Sequence, residues 1–339
     1  MSLTKGVSLV QTKYGDTLSL KRVNQYLLVC TLGEGSFAKV FLGRSEENGE
    51  TREFAIKRIH LNELARSPAG ITQLEREIQI MRRLDCPYIV HLIEAIHVPE
   101  RDTAYIVIEY ADCQTLSRAM NQEYRFKPSE IRAIFAQIAL GVQYLHRHDI
   151  VHQDLKPSNV LMKSNGQVMI SDFGIGHSFQ SAAMVVGTPS YQAPEVIDEG
   201  FADEEDDPGK EDIWSLGVTL FELVFGDLPY GGNNLFEIVR TIVTTPLEKP
   251  PGVDNSLWEL IQGMLTVDPG QRFSISEVCE HPYVKNADIT QSPHLQPFTP
   301  PPIPEGIPVV QINGTICNKN YSFVMKRSPP KLMFKAPFG

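Results

Sequence analysis

The stretch Gly33-Glu34-Gly35-Ser36-Phe37-Ala38-Lys39-Val40 lies between two runs that read as strands. Glycines at this spacing let a backbone turn tightly and come close to a phosphate. Ala38 takes the third glycine position of the common pattern, and by itself the glycine pair is equally an ordinary hairpin turn. Glu53-Phe54-Ala55-Ile56-Lys57 adds a charge nearby. In a strand, Ala55 and Lys57 share one face, and Phe54 and Ile56 share the other. If the first face is apolar, Lys57 needs a partner, because an unpaired buried ammonium is costly. Glu77 follows Leu74 by three residues and precedes Met81 by four, so it falls on the apolar face of a helical pattern and has the same need. A surface ion pair explains Glu77 in isolation. The turn, Lys57 and Glu77 together favour a site where an ammonium reaches a nucleotide phosphate.

These residues require a small sheet-rich region to position them. Tyr26–Cys30, Lys39–Gly43 and Glu53–Ile59 read as strands, with a turn at Glu46–Glu50. Ile71, Leu74, Ile78 and Met81 recur at helical spacing, and Tyr88–Ala95 and Thr103–Tyr110 supply two more strands. After Ala111 the texture becomes helical. Ile131, Ile134, Ile138 and Val142 share a face of a helix that starts at Pro128. Asn159–Ser171 reads as a hairpin, with Asn165-Gly166 supplying the positive φ angles of a tight turn. Glu211–Phe225 is apolar on most sides, which predicts a buried helix stopped by Gly226. Further helices are expected at Asp254–Leu265 and Ser274–Val284.

The formal net charge of −10 argues against non-specific binding to nucleic acid or to an acidic membrane. Nine carboxylates and one lysine lie between Asp198 and Asp212, so one loop carries most of the imbalance. It reads as a solvated insertion, or else as an attractor for a basic substrate or partner. Five scattered cysteines without a Cys-x-x-Cys pair give neither a disulfide framework nor a zinc site. A reducing, cytoplasmic or nuclear setting is expected, with no membrane span. In that setting Asn313-Gly314-Thr315 and Asn320-Tyr321-Ser322 match the glycosylation pattern only by chance.

Six motifs then occur in order: Gly33–Val40, Ala55-Ile56-Lys57, His152–Asn159, Asp172-Phe173-Gly174, Ala193-Pro194-Glu195 and Asp212–Gly217. With this order and spacing, residues 25–285 resemble the eukaryotic protein kinase family. The resemblance implies an α+β, two-lobed fold, with a small five-stranded N-lobe carrying one main helix and a mostly helical C-lobe. It implies ATP and Mg²⁺ as cofactors. Asp154 is expected to accept or orient the substrate hydroxyl proton, and Lys156 to offset γ-phosphate charge. Asn159 and Asp172 are expected as oxygen ligands of Mg²⁺, with Phe173 and Gly174 letting Asp172 swing into place. Thr188 would lie beside Asp154; with Lys156-Pro157-Ser158 it points to the serine/threonine class. Glu195 would pair with Arg272, and Asp212 would hold the catalytic-loop backbone. Glu109–Ala111 would form the hinge that binds adenine, with Ile108 controlling the back pocket. Leu32, Gly33, Gly35, Val40, Ala55, Lys57 and Leu161 complete the expected nucleotide-binding set.

Gln153 stands where many kinases carry an arginine that pairs with a phosphorylated activation loop. The usual phosphate-accepting threonine is also replaced, by Met184, with Ala182, Ala183, Val185 and Val186 around it. Two matched losses predict a loop ordered by apolar packing and an enzyme active without that phosphorylation. The contrary reading of Gln153 is a kinase shape without chemistry, a nucleotide-binding scaffold that signals by docking. Lys57, Glu77, Asp154, Asn159 and Asp172 are all present, which argues against it.

Val23–Val40, Tyr88–Tyr110, Val185–Glu195 and Gly217–Tyr230 resemble calcium/calmodulin-dependent protein kinase kinases and their fungal relatives, which activate the AMP-activated kinase family. The liver kinase B type is the runner-up, and a general serine/threonine kinase of another group is the further alternative. The resemblance implies a protein substrate, such as the activation-loop threonine of another kinase. The long basic insert typical of the first group is missing, since only Arg58–Gly70 intervenes. Pro329, Pro330 and Pro337 break any long amphipathic helix in the basic C-terminal stretch, so calcium regulation through calmodulin is not carried over. The expected domains are an extension (1–24), a kinase domain (25–285; N-lobe 25–110, C-lobe 111–285) and a proline-rich tail (286–339). Ten of 24 prolines lie in the last 53 residues, so the tail is expected to be extended or disordered, or pinned against the lobes. Ser292, Thr299 and Ser328, each before a proline, are candidate regulatory sites.

Overall fold

The computed structural model describes residues 12–14, 17–34, 38–67, 69–122, 124–172, 189–197, 207–232 and 234–323. Expectations resting on Gly35, Phe173, Gly174, Ala182–Val186, Thr188, the carboxylates within 198–206 and Ser328 lie outside them. The chain divides into two compact units. Unit 1 takes residues 1–71, 93–108 and 301–339; unit 2 takes 72–92 and 109–300.

Unit 1 contains β1 (Thr12–Tyr14), β2 (Thr17–Val23), β3 (Tyr26–Glu34), β4 (Ala38–Glu47), β5 (Glu50–His60), β6 (Leu92–Val98), β7 (Thr103–Glu109), β10 (Val309–Ile312) and β11 (Thr315–Ile316). The short helix α1 (Leu61–Leu64) follows β5. The five expected strands, β3 to β7, are present and antiparallel neighbours β3, β4 and β5 pair in sequence order. Four more strands join them in a nine-stranded sheet with order β1-β2-β3-β4-β5-β7-β6-β11, and β10 pairs with β2. The N-terminal extension and the tail are thus partly strand. The polar residues of the extension and the prolines of the tail hid this, because edge strands need only one buried face.

The tail closes on the sheet residue by residue. β10 runs parallel to β2, with Val309 opposite Leu20 and Ile312 opposite Val23. Asn24 and Gly314 then hold each other: Gly314 N–H donates to Asn24 Oδ1 at 2.8 Å, and Asn24 Nδ2 donates to Gly314 O at 3.2 Å. Glycine is required there, because a Cβ would lie 2.4 Å from Ile96 Cγ2 and 3.0 Å from His97 O. Ile312 enters the apolar core with Val23, Tyr26, Phe41, Ile56 and Val107. Full burial of one such side chain stabilises by roughly 1.5–3 kcal/mol. Farther along, Tyr321 Oη lies 2.6 Å from Nδ1 of the buried His97, and Phe323 meets that ring edge-on.

Unit 2 contains most of α2 (Gly70–Met81), then α3 (Leu116–Asn121), α4 (Pro128–His146), β8 (Val160–Met162), β9 (Val168–Ile170), α5 (Pro194–Ile197), α6 (Gly209–Phe225), α7 (Leu235–Thr244), α8 (Asn255–Met264), α9 (Ile275–Glu280) and α10 (Pro282–Lys285). α4 begins at Pro128 as the sequence predicts and buries Ile131, Ile134, Ile138 and Val142. α6 is buried along nearly its whole length and ends at Gly226, whose φ is 81°. The hairpin differs from expectation. Only Gly166 has positive φ, at 85°, and five residues connect the strands. Lys163 N–H bonds to Gln167 O, and Gly166 N–H to Lys163 O, so the tight two-residue turn is replaced by a wider one with a single left-handed residue.

Candidate active site

In unit 1 the sheet register groups the expected nucleotide-binding residues. Gly33 pairs with Val40 across β3–β4, and Val40 pairs with Lys57 across β4–β5. Cross-strand partners share a face, so Gly33, Val40 and Lys57 line one side, with Ala55 two residues along. Phe54 and Ile56 point into the apolar core on the opposite side. Leu32 lies beside Gly33 at the end of β3, and Ile108 near the end of β7.

In unit 2, α6 sets the position of the catalytic loop. Asp212, fully buried, accepts the backbone N–H of Gln153 on Oδ1 and that of His152 on Oδ2, both at 2.8 Å. His146 Nε2, at the end of α4, approaches the same Oδ2 at 2.8 Å. His152 is fixed as one tautomer. Its Nδ1 accepts the Asp154 N–H at 3.2 Å, so Nε2 carries the proton and donates to Ser171 O at 3.0 Å.

The loop presents Asp154 to two donors. Lys156 Nζ lies 2.8 Å from Oδ1, and Asn159 Nδ2 lies 2.9 Å from Oδ2 and 2.8 Å from the Asp154 carbonyl. With its amide nitrogen spent on Asp154, Asn159 has its carbonyl oxygen left for a cation. The Asn159 backbone carbonyl accepts from Ser171 N–H at 2.9 Å and Ser171 Oγ at 3.2 Å. That tie brings Asp172, the next residue, alongside Asn159, and Asp172 adopts φ 61°. A side-chain amide oxygen and a carboxylate are hard ligands that suit Mg²⁺, an ion that completes its shell with water and phosphate oxygens. Among the described residues no group of three His, Cys, Asp or Glu side chains forms a protein-only metal cage.

Glu77 on α2 is buried, as the helical pattern predicts. It belongs to unit 2, whereas Lys57 belongs to unit 1. Glu109 N–H donates to His91 O at 2.9 Å, and the Glu109 side chain pairs with Lys163. Ala111 is buried. Leu161 bridges to Thr115, and Met162 exchanges backbone hydrogen bonds with Cys113 and Gln114, so β8 runs beside Cys113–Thr115, shortly after Glu109–Ala111.

Glu195 and Arg272 form the expected pair. The guanidinium meets both carboxylate oxygens, at 2.5 and 2.9 Å. Its remaining donors reach the carbonyls of Thr266, Lys210 and Val267, so all five are used, and it lies over the Trp214 ring. Complete satisfaction is what a buried guanidinium requires.

Two residues escaped sequence reasoning. Glu211, one residue before Asp212, hydrogen-bonds to the Gln153 side chain, and burial, reinforced by the Asp212 charge, pushes its carboxyl up to about 7. It was hidden in the acidic run, although its adjacency to Asp212 on α6 was the available signal. His146 had no signal beyond its place at the end of α4.

The protein kinase domain model matches residues 26–284. The chain belongs to the protein kinase domain family, and it has that family's two-lobed α+β fold. It is 36% identical over 283 residues to serine/threonine-protein kinase GRIK2 of Arabidopsis thaliana, covering 79% of this chain and 67% of that protein. It is 32% identical over 299 residues to serine/threonine-protein kinase stk11 of Xenopus laevis, covering 84% and 66%. It is 32% identical over 266 residues to serine/threonine-protein kinase 36 of Mus musculus, covering 77% of this chain but only 19% of that much longer protein. The chain is a protein serine/threonine kinase.

Proposed function

We propose that the chain transfers the γ-phosphoryl group of Mg·ATP to the activation-loop threonine of another protein kinase, and that it does so without phosphorylation of its own activation loop. The observation that carries the catalytic reading is the Asp154 carboxylate held between Lys156 Nζ and Asn159 Nδ2 on a loop anchored by Asp212. Asp154 orients the acceptor hydroxyl and takes its proton. The new bond joins that oxygen to the γ-phosphorus, the bond to the β-bridging oxygen breaks, and ADP leaves. Lys156 offsets charge on the transferring group, and Lys57 steadies the phosphates. Asn159 and Asp172 would hold Mg²⁺, which would supply charge neutralisation at the phosphates. Val40, Ala55 and Leu161 are assigned to the adenine faces, and Glu109–Ala111 to its polar edge.

Independence from loop phosphorylation is supported by Gln153. A neutral side chain bonded to Glu211 leaves no unpaired cation waiting for phosphate. The upstream-kinase reading is supported by the motif resemblances, and the serine/threonine class by the similarity to GRIK2 and stk11. The test offers the purified protein a panel of inactive kinases with labelled ATP and maps the acceptor residues. Selective labelling of activation-loop threonines, absent with Asp172→Ala, supports the proposal. Broad labelling of exposed peptides refutes the substrate assignment, and equal background in both proteins favours the scaffold.

A further inference from the structure

The segment after the helical part of unit 2 lies along the residues that follow Glu109–Ala111. Phe298 N–H donates to Asp112 O at 2.7 Å. The Cys113 thiol donates to Leu295 O and Gln296 O at 3.7 and 3.6 Å. His294 Nδ1 donates to Ser164 O at 3.1 Å. Asp112 itself is fixed from the other side, accepting Ser164 N–H at 2.8 Å and Ser164 Oγ at 2.5 Å.

Two proline-directed acceptor motifs flank this contact, and the structure separates them. Ser292, before Pro293, is 4% exposed; Gln137 Nε2 donates to its Oγ at 3.1 Å, and its Cβ faces Gly166. Its hydroxyl is closed to another enzyme in the folded protein. Thr299, before Pro300, is exposed and lies in a stretch without helix or strand, one residue beyond the Phe298 bond. An extended, solvent-facing hydroxyl next to proline is what a proline-directed kinase needs.

We propose that Thr299 is a phosphoacceptor for a separate proline-directed protein kinase, and that its phosphorylation releases Ser292–Phe298 from Asp112 and Cys113. The γ-phosphoryl group of that kinase's ATP bonds to Thr299 Oγ1. The bond from phosphorus to the β-bridging oxygen breaks, the hydroxyl proton passes to the modifying kinase's catalytic carboxylate, and ADP departs. The product carries nearly two negative charges one residue from a contact whose partner is itself an aspartate. Like-charge repulsion and the hydration of the dianion both oppose that contact. This inference treats the chain as a substrate, so it stands apart from the proposed activity.

The test uses the full-length Asp172→Ala protein, which keeps any activity of the chain itself out of the readout. It is incubated with a proline-directed kinase of the mitogen-activated class and Mg·ATP, and sites are mapped by mass spectrometry. The folded protein is expected to gain one phosphate on Thr299, with Ser292 modified only after unfolding in urea. Amide exchange at Phe298 should then rise by at least about tenfold, while Val310 and Ile312 stay protected. Thr299→Ala should lose both the modification and the change in exchange. Thr299 unmodified in the folded chain, Ser292 modified as fast, or a modified Thr299 with unchanged Phe298 exchange would each overturn the proposal.

Discussion

The Gln153 side chain hydrogen-bonds to the carboxyl group of Glu211, one residue from the aspartate that fixes the catalytic loop. Where many kinases hold an arginine in wait for a phosphate, this chain pairs a neutral amide with an internal acid. Burial and the neighbouring carboxylates Asp212 and Glu195 push Glu211 up to about 7, against the opposing pull of Gln153 and Arg272.

That shift has a sign. Glu211 holds its proton more tightly in the folded chain than its ordinary 4.5. Its linked stability is therefore fully present below about 4.5 and is lost as pH rises through about 7. Denaturant midpoints measured from pH 5 to 8 should fall across this window, and Glu211→Gln should remove that part of the slope. Gln153→Arg should also flatten it, by placing a cation against the ionised carboxylate. Identical slopes in wild type and Glu211→Gln would contradict the assignment.

Asp154→Asn should lower kcat by roughly 10²–10⁴-fold, because the proton acceptor is lost while an oxygen remains to face Lys156. Tm should change little. Steady-state kinetics with a generic protein substrate, alongside a thermal melt, separates lost chemistry from lost folding.

Arg272→Ala should destabilise unit 2 by about 3–5 kcal/mol, since it strips the buried partner of Glu195 and leaves three carbonyls without their donor. Arg272→Lys should recover only part of this, because an ammonium cannot match five fixed donors. Urea unfolding of the three proteins measures the difference.

Ile312→Ala should cost about 2–5 kcal/mol, the usual penalty for emptying a buried aliphatic site. Gly314→Ala should also be unfavourable, because its Cβ has no room beside Ile96. Ile312→Ala should be non-additive with Val23→Ala, because the two residues are partners across β10–β2 and pack in one core. Double-mutant unfolding experiments check that non-additivity.

What the sequence revealed, and what it hid, follows from how local each signal is. The face shared by Ala55 and Lys57 was readable because strand periodicity is two, and the burial of Glu77 because helical spacing placed it with Leu74 and Met81. The motifs pointed to Asp154, Asn159, Asp212 and the Glu195–Arg272 pair before any contact was seen. β10 was not readable: its four residues follow a proline-rich stretch, and their partners in β2 lie far back in the chain. Asn24 and Gly314 are 290 residues apart, and no local pattern announces such a pair. Glu211 was concealed by company, because a run of carboxylates reads as solvated until the helix turns one of them inward. The Asn165-Gly166 turn was misassigned because the dipeptide favours a two-residue loop, whereas the Lys163–Gln167 bond sets a longer one.

The most direct test of the account asks whether the unmodified chain is already an enzyme. Protein made in bacteria and treated with phosphatase, its mass confirming no phosphate, is given Mg·ATP and an inactive kinase. The account predicts transfer to the activation-loop threonine at the rate seen before phosphatase treatment. No transfer until another kinase has phosphorylated the chain's own activation loop would contradict it.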